Sequence, residues 1–366
     1  MENFAEKLAA LAEMSNRYGA DAAFVLAGGG NTSFKSADRL WVKGSGTSLA
    51  TIRPEDFVVL ERKKLAAMWD AVYPEKEADR EAAVLADMMA ARVEGENRRP
   101  SVETLLHDLF PQSYVLHVHP ALVNGLTCSV EGEQAMLRLF PDAVWVDACK
   151  PGYILALDCR KKMEAYKAAT GKDCQLLFLQ NHGIFFAGET TQELDVLAAR
   201  VMDTLAAVIV REPQLESLPY DGEKVNGWLR KLAALYGENA CSAFGLCPEI
   251  LRYDPATKSL SPDHIVYAKA KQLAMQETDD AAAAVAAFEK ENGYKAKLIF
   301  VEGLGMFACG MSENEAKTAL AVMLDAIKVV AYAESFGGVS PMPDFLIDFI
   351  VNWEVESYRS KVSLGK

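Results

Sequence analysis

The chain carries five histidines, at positions 107, 117, 119, 182 and 264. Two of them form the triplet His117-Val118-His119. Side chains two apart on a strand share a face, so both imidazoles could reach one ion. Three protein ligands with open coordination positions make a catalytic zinc-type site. His182, in Asn181-His182-Gly183, is the candidate third ligand. The triplet alone leaves open a merely polar strand face. His107 follows Glu103 by four residues, on the same helix face. It reads as a partly buried structural histidine, with a fourth-ligand role as the alternative; His264 reads as structural.

Two glycine loops are the other candidates for chemistry. Gly28-Gly29-Gly30-Asn31-Thr32-Ser33 lacks the G-x-G-x-x-G spacing of a dinucleotide fingerprint, and Gly44-Ser45-Gly46-Thr47 lacks the G-x-x-x-x-G-K-S/T pattern. Both cluster backbone N–H groups with small hydroxyl and amide side chains, which suits a phosphate. Lys43 would add a point charge. Ordinary tight turns are the alternative.

The elements that must position these groups follow from the pattern. Residues 2–17 repeat apolar positions at helical spacing. Phe24–Ala27 is predicted as a strand running into the first glycine loop. Arg39–Val42 and Phe57–Leu60 are two further strands. The alanine-rich, charged stretch 76–95 suits an exposed helix. Another helix opens at Ser101, the predicted N-cap, and runs through Leu109. Tyr114–His119 is β-rich, and Gln175–Ile184 is predicted as another strand. Periodicity fails between Arg211 and Gly222, so we divide the chain into 1–212, a linker 213–222, and a smaller α/β domain 223–366. Leu176–Gly188 aligns with Leu298–Gly310 at five of thirteen positions, each followed by a helical segment. Aligning Pro54–Val58 with Pro262–Val266 as well makes the second half a candidate degenerate copy, 86 residues shorter. It has Gly303-Leu304 where the first half has Asn181-His182, and so lacks the metal site.

Composition narrows the class. The 366 residues are 51% hydrophobic and 24% charged, enough to bury a core in two domains. No uncharged apolar run reaches membrane-span length, and no signal peptide is visible. The seven cysteines form no C-x-x-C pair and read as reduced thiols of a cytoplasmic protein. A net charge of −13 argues against nucleic-acid or membrane surfaces but leaves a small phosphorylated substrate open.

Gly30-Asn31-Thr32-Ser33, Lys43-Gly44-Ser45-Gly46 with Pro54-Glu55-Asp56, Ser101-Val102-Glu103, His117-Val118-His119-Pro120 and Asn181-His182-Gly183 occur in this order. Together they resemble the class II aldolase/adducin family, over residues 1 to about 212. The version most similar is the aldolase portion of bifunctional rhamnulose-1-phosphate aldolase/alcohol dehydrogenases, with no counterpart here of the dehydrogenase part. The resemblance implies an α/β, three-layer αβα fold around a mostly antiparallel sheet, a divalent metal (most often Zn2+) and a homo-oligomer. It puts the metal on His117, His119 and His182 and the general acid/base on Glu103. It puts substrate phosphate at Asn31, Ser45, Gly46 and Ser101, beside which the loop chemistry sets Thr32 and Lys43. Val102 departs from the pattern, since many aldolases have a second serine there.

The implied activity is reversible cleavage of a ketose 1-phosphate, a deoxy sugar such as rhamnulose 1-phosphate, to dihydroxyacetone phosphate and an aldehyde through an enediolate. A metal on three neutral imidazoles keeps its double charge and would stabilise that anion. Glu103 would move the C3 proton, its pKa raised by desolvation and opposed by the metal. Tyr153 is a candidate contact to the aldehyde. The alternatives are a sugar-phosphate 4-epimerase of the same fold and a non-catalytic, adducin-like interaction module.

Overall fold

Seven short runs, buried almost entirely on both faces, form the central sheet of the computed structural model, which describes residues 4–352. They are β1 (Asn31–Lys35), β2 (Arg39–Lys43), β3 (Phe57–Glu61), β4 (Tyr114–Val118), β5 (Val144–Val146), β6 (Leu176–Leu179) and β7 (Gly183–Gly188). Their order is β3-β2-β1-β4-β7-β6-β5. Every pairing is antiparallel except β5 with β6.

The helices interspersed with these strands are α1 (Phe4–Ala20), α2 (Arg62–Ala67), α3 (Glu77–Ala90), α4 (Thr104–Leu109), α5 (Ala121–Thr127), α6 (Gly132–Leu139), α7 (Tyr153–Thr170) and α8 (Thr191–Ala206). Strand alternation splits the side chains between two layers. Phe34, Leu116, Phe178 and Phe186 pack with Leu11 and Met14 of α1, Val123 of α5, Met136 of α6 and Val201 of α8. Leu40, Val58, Val115 and Leu177 pack instead with Leu65 of α2, Met88 of α3, Leu105 of α4 and Cys159 of α7. Each such fully buried side chain contributes about 1.5–3 kcal/mol. The result is the expected three-layer αβα arrangement around a mostly antiparallel sheet.

A second, smaller sheet follows. Helix α9 (Gly222–Tyr236), β8 (Cys241–Gly245), α10 (Pro248–Arg252), α11 (Pro262–Ala268), β9 (Leu273–Met275), α12 (Ala281–Asn292), β10 (Leu298–Val301), β11 (Gly305–Gly310), α13 (Glu313–Ala333) and α14 (Asp344–Asn352) build it. Its order is β8-β11-β10-β9. Trp228 of α9 and Phe288 of α12 cover one face. On the other, Ile265 of α11, Val322 of α13 and Ile350 of α14 join one core with Ala121 of α5 and Cys128 just after it. The units meet closely there, since a Cβ on Gly125 of α5 would lie 2.4 Å from Tyr332 Cβ of α13.

Four details differ from the sequence reading. Gln175–Ile184 is two antiparallel strands, β6 and β7, joined by a turn at 180–182. Phe24–Ala27 forms turns, with Phe24 N and Val25 N donating to Asp21 O. The strand starts at Asn31, where the chain gains ladder partners on both sides, β2 and β4. Ser101 does not cap α4; its hydroxyl accepts from Glu103 N, and Glu103 is the residue at the cap. Pro262–Val266 lies in a helix whereas Phe57–Glu61 is a strand, so that part of the proposed repeat fails. The tail beyond Asn352, part of the resemblance, lies outside the described residues.

Lys35 ends β1 with its ammonium buried, donating to Phe110 O and Gln112 O. Burial pushes its pKa down to about 7, partly opposed by Asp108. The unfolded chain therefore binds the extra proton between about pH 7 and the usual lysine value, and folding becomes more favourable as pH rises through that window. We predict that the stability difference between wild type and Lys35→Met changes by about 2–3 kcal/mol from pH 7 to pH 9, in favour of wild type. Denaturant titrations at the two pH values measure it, and a pH-independent difference would contradict the assignment.

Candidate metal centre

Strand register assembles the site. Asn31 on β1 and Phe185 on β7 both pair with His117 on β4, so all three side chains share one sheet face. The Phe185 ring stacks on the His117 imidazole at 3.9 Å between centroids. His119 lies just past the end of β4, its backbone N donating to Phe24 O. His182 arrives on the β6–β7 turn. Asn181 adopts a left-handed φ of 55°, a conformation asparagine tolerates better than most residues. Gly183 leaves the space His119 needs, because a Cβ there would lie 2.7 Å from His119 Cδ2. Asn181-His182-Gly183 is thus a turn, a ligand and a clearance in sequence.

Acceptors around the imidazoles set their tautomers. A carbonyl and a carboxylate can only accept. His117 Nδ1 therefore donates to Ile184 O at 2.9 Å, and His119 Nδ1 donates to Asp263 Oδ2 at 2.6 Å. Each ring then turns a bare Nε2 lone pair inward, and the two Nε2 atoms stand 2.9 Å apart. Glu103 Oε1 lies 3.3 Å from His117 Nε2 and 3.4 Å from His182 Nε2, is buried, and has no hydrogen-bond partner among the described residues. Three electron-pair donors, the two Nε2 atoms and Oε1, converge on one buried spot beside His182 and repel one another unless a cation lies between them. His117, His119 and His182 offer ligand atoms all within 4.8 Å, so they could hold a metal ion. Three imidazoles with open positions suit zinc chemically.

The charges agree. Burial drives the His182 pKa down to about 3 despite the opposing pull of Glu103, so this imidazole is neutral and free to ligate at pH 7. Burial alone would push the Glu103 carboxyl up. The approach of His117, with that of His182 and the hydrogen bond from Asn31, outweighs it and holds the group well below the carboxylate range. The expected rise toward neutrality is therefore absent, and Glu103 stands ionised.

A hydrogen-bond chain fixes that carboxylate. His107, fully buried and kept neutral by burial, accepts from Ser33 Oγ–H at Nδ1 and donates from Nε2 to Asn31 Oδ1. Asn31 Nδ2 then donates to Glu103 Oε2 at 2.5 Å and to Ser101 Oγ at 3.3 Å. His107 is thus neither a ligand nor a bystander; it orients the amide that orients the carboxylate. Its spacing from Glu103 hinted at proximity but not at this route through Asn31. Asp263 went unnoticed in the sequence, since 144 residues separate it from its histidine.

Of the expected phosphate residues, Asn31, Lys43, Ser45, Gly46 and Ser101 line one narrow crevice of about 30 Å³ together with Glu103 and His119. Lys43 Nζ donates to Gly28 O and Gly30 O, bracing the first glycine loop against the second. Thr32 is a correction: it points to the opposite face, fully buried, with its hydroxyl on Ser15 Oγ. One residue along a strand reverses the face, and Asn31 takes the site side. Tyr153 is likewise buried elsewhere, its hydroxyl on Met68 O. A surface depression of about 750 Å³ around Arg39 and Arg62 includes none of these groups.

Residues 9–210 match the family described as Class II Aldolase and Adducin N-terminal domain. An uncharacterized oxidoreductase, YuxG, of Bacillus subtilis (strain 168) is 31% identical over 189 residues, 49% of this chain. The match spans only 26% of that protein's length. The N-terminal class II aldolase domain of a conserved protein from Thermoplasma acidophilum has a TM-score of 0.49 at 23% identity, covering 57% of this chain and 96% of that one. A sugar-phosphate aldolase from Thermotoga maritima has a TM-score of 0.39 at 16% identity, covering 58% and 99%. Among the described residues no helix is long and apolar enough to cross a membrane.

A ligand that binds only the native state raises stability by mass action. Zinc at a hundredfold excess over its Kd is expected to stabilise the protein by about 2.7 kcal/mol, and EDTA to reverse this. His182→Ala should abolish the effect. Equal zinc stabilisation of wild type and variant in thermal melts would contradict the site.

Proposed function

This chain belongs to the class II aldolase and adducin family, and we propose that it is a metal-dependent aldolase. The reaction is reversible cleavage of a ketose 1-phosphate, in the manner of rhamnulose 1-phosphate, to dihydroxyacetone phosphate and an aldehyde. The observation that carries this reading is an ionised, buried carboxylate facing three inward-turned imidazoles. An interaction module has no use for that arrangement. We include in the proposal Zn2+ as the ion, a homo-oligomeric state, and a likeness to the aldolase portion of bifunctional aldolase/dehydrogenases.

A divalent ion held by His117, His119 and His182 would supply Lewis-acid stabilisation of the negative charge that develops on the three-carbon fragment. The remaining work falls to the chain. In the condensation direction the Glu103 carboxylate takes the C3 proton and the C–H electron pair stays on the fragment; C3 then bonds to the aldehyde carbon as the carbonyl π pair moves to the aldehyde oxygen, which takes a proton from solvent, and cleavage reverses each transfer. In cleavage the proton returns from Glu103 to C3. Oε1 is the oxygen without a hydrogen-bond donor, while Asn31 holds Oε2, so the proton has one defined place to land. The hydrogen bond from Asn31 Nδ2, an amide that also donates to Ser101 Oγ, fixes the carboxylate before substrate arrives, which lowers the cost of orientation during reaction. The loop at Ser45 and Gly46, with Lys43 behind it, is the proposed phosphate cradle, Ser45 lending its hydroxyl because its backbone N already donates to Arg99 O.

Incubation of the zinc-loaded protein with dihydroxyacetone phosphate in D₂O, with and without lactaldehyde, tests this directly by NMR. One of the two C3 protons should exchange stereospecifically. The exchange should stop with chelator and slow by about 10²–10⁴-fold in Glu103→Gln. No exchange and no aldol product in either arm would overturn the reading.

A further inference from the structure

We propose that the second unit completes the metal centre: Asp263 of α11 is the positioning residue for His119, and Tyr267, one turn later, clamps the first glycine loop against that pair. The inference rests on the reading of His117, His119 and His182 as metal ligands.

The need for such a residue comes from the end of the strand. His117 lies within β4, where Ile184 O, on the paired strand, anchors its ring. His119 has left the ladder, so no neighbouring strand fixes its imidazole. Asp263 Oδ2 takes that place at 2.6 Å, with both side chains largely buried. A carboxylate bonded to one ring nitrogen fixes the tautomer, orients the ring and raises the basicity of the other nitrogen as a ligand.

The surroundings are shaped to this contact. Residues four apart on a helix share a face, and Asp263 and Tyr267 use theirs on Gly28-Gly29-Gly30. Gly28 N donates to Tyr267 Oη at 3.1 Å. A Cβ on Gly29 would lie 2.8 Å from Asp263 Oδ2, so glycine is what lets the loop approach the carboxylate. The same unit holds the turn that carries His182, because Asn181 Nδ2 donates to Leu260 O and Ser340 O. Two of the three ligand segments are therefore held from outside residues 1–212. This separates the second unit's role from its lack of ligands: it supplies orientation.

The test is metal affinity and geometry in the full-length protein. Zn2+ Kd is measured by competition with a chromophoric chelator, and the ligand field is read from the visible absorption of the Co2+-substituted protein. Asp263→Asn should raise Kd about 10- to 100-fold and change the Co2+ spectrum. The thermal midpoint of the metal-free protein should stay at the wild-type value, and Asp263→Glu should recover most of the affinity. Gly29→Ala, which crowds the carboxylate from the loop side, should weaken binding in the same direction. Unchanged Kd and spectrum in both Asp263→Asn and Gly29→Ala would overturn the positioning role while leaving the three-histidine site standing. Failure of the wild-type protein to bind either metal would instead overturn the reading on which it rests.

Discussion

Lone pairs forced together in a dry pocket are the constraint that organises this protein. Ile184 O and Asp263 each claim the Nδ1 proton of an imidazole, so the two Nε2 atoms face each other at 2.9 Å, with an ionised Glu103 beside them. Such a cluster is costly unless a cation sits in it. Everything near it serves to hold that arrangement: the register that lines up Asn31, His117 and Phe185, the left-handed Asn181, and the clearances at Gly29 and Gly183. The Ser33–His107–Asn31 chain serves the same end, delivering an oriented amide to Glu103.

The second sheet shows what the same framework looks like without that constraint. Leu176 pairs with Phe186 and Leu179 with Gly183; Leu298 pairs with Ala308 and Val301 with Gly305, the same ladder 122 residues later. A parallel strand flanks each hairpin in the same register, β5 against β6 and β9 against β10. The capping repeats too: Thr190 accepts from Glu193 N and Ser312 from Glu315 N. Yet Phe244 holds the ladder position of His117, opposite Phe307 rather than Phe185. Gly303 and Leu304 stand where Asn181 and His182 do. The chemistry of the first sheet thus depends on a few polar residues at ladder and turn positions that are apolar or glycine in the second.

Much of this could be read from residue types. Short β-rich apolar runs marked β2 to β4, and scarcity made the three histidines conspicuous. The hairpin repeat at Leu176 and Leu298 was visible because core residues there are similar in size and spacing. What sequence could not supply was orientation and distance. Thr32 and Asn31 look equally suited to a loop site, but the strand begins at Asn31 and sends them to opposite faces. The β-rich run before Gly28 became turns because only the chain after Gly30 finds ladder partners on both sides. Asp263 carries no local mark at all, since its role arises only when α11 packs against the glycine loop.

X-ray absorption at the zinc edge of the metal-loaded protein tests the central claim, that three imidazoles turned inward form one metal site. The account predicts three nitrogen donors at about 2.0–2.1 Å with the outer-shell scattering of histidine rings, in one ion per chain. A shell of oxygen donors alone, or a spectrum identical in His117→Ala, would contradict it.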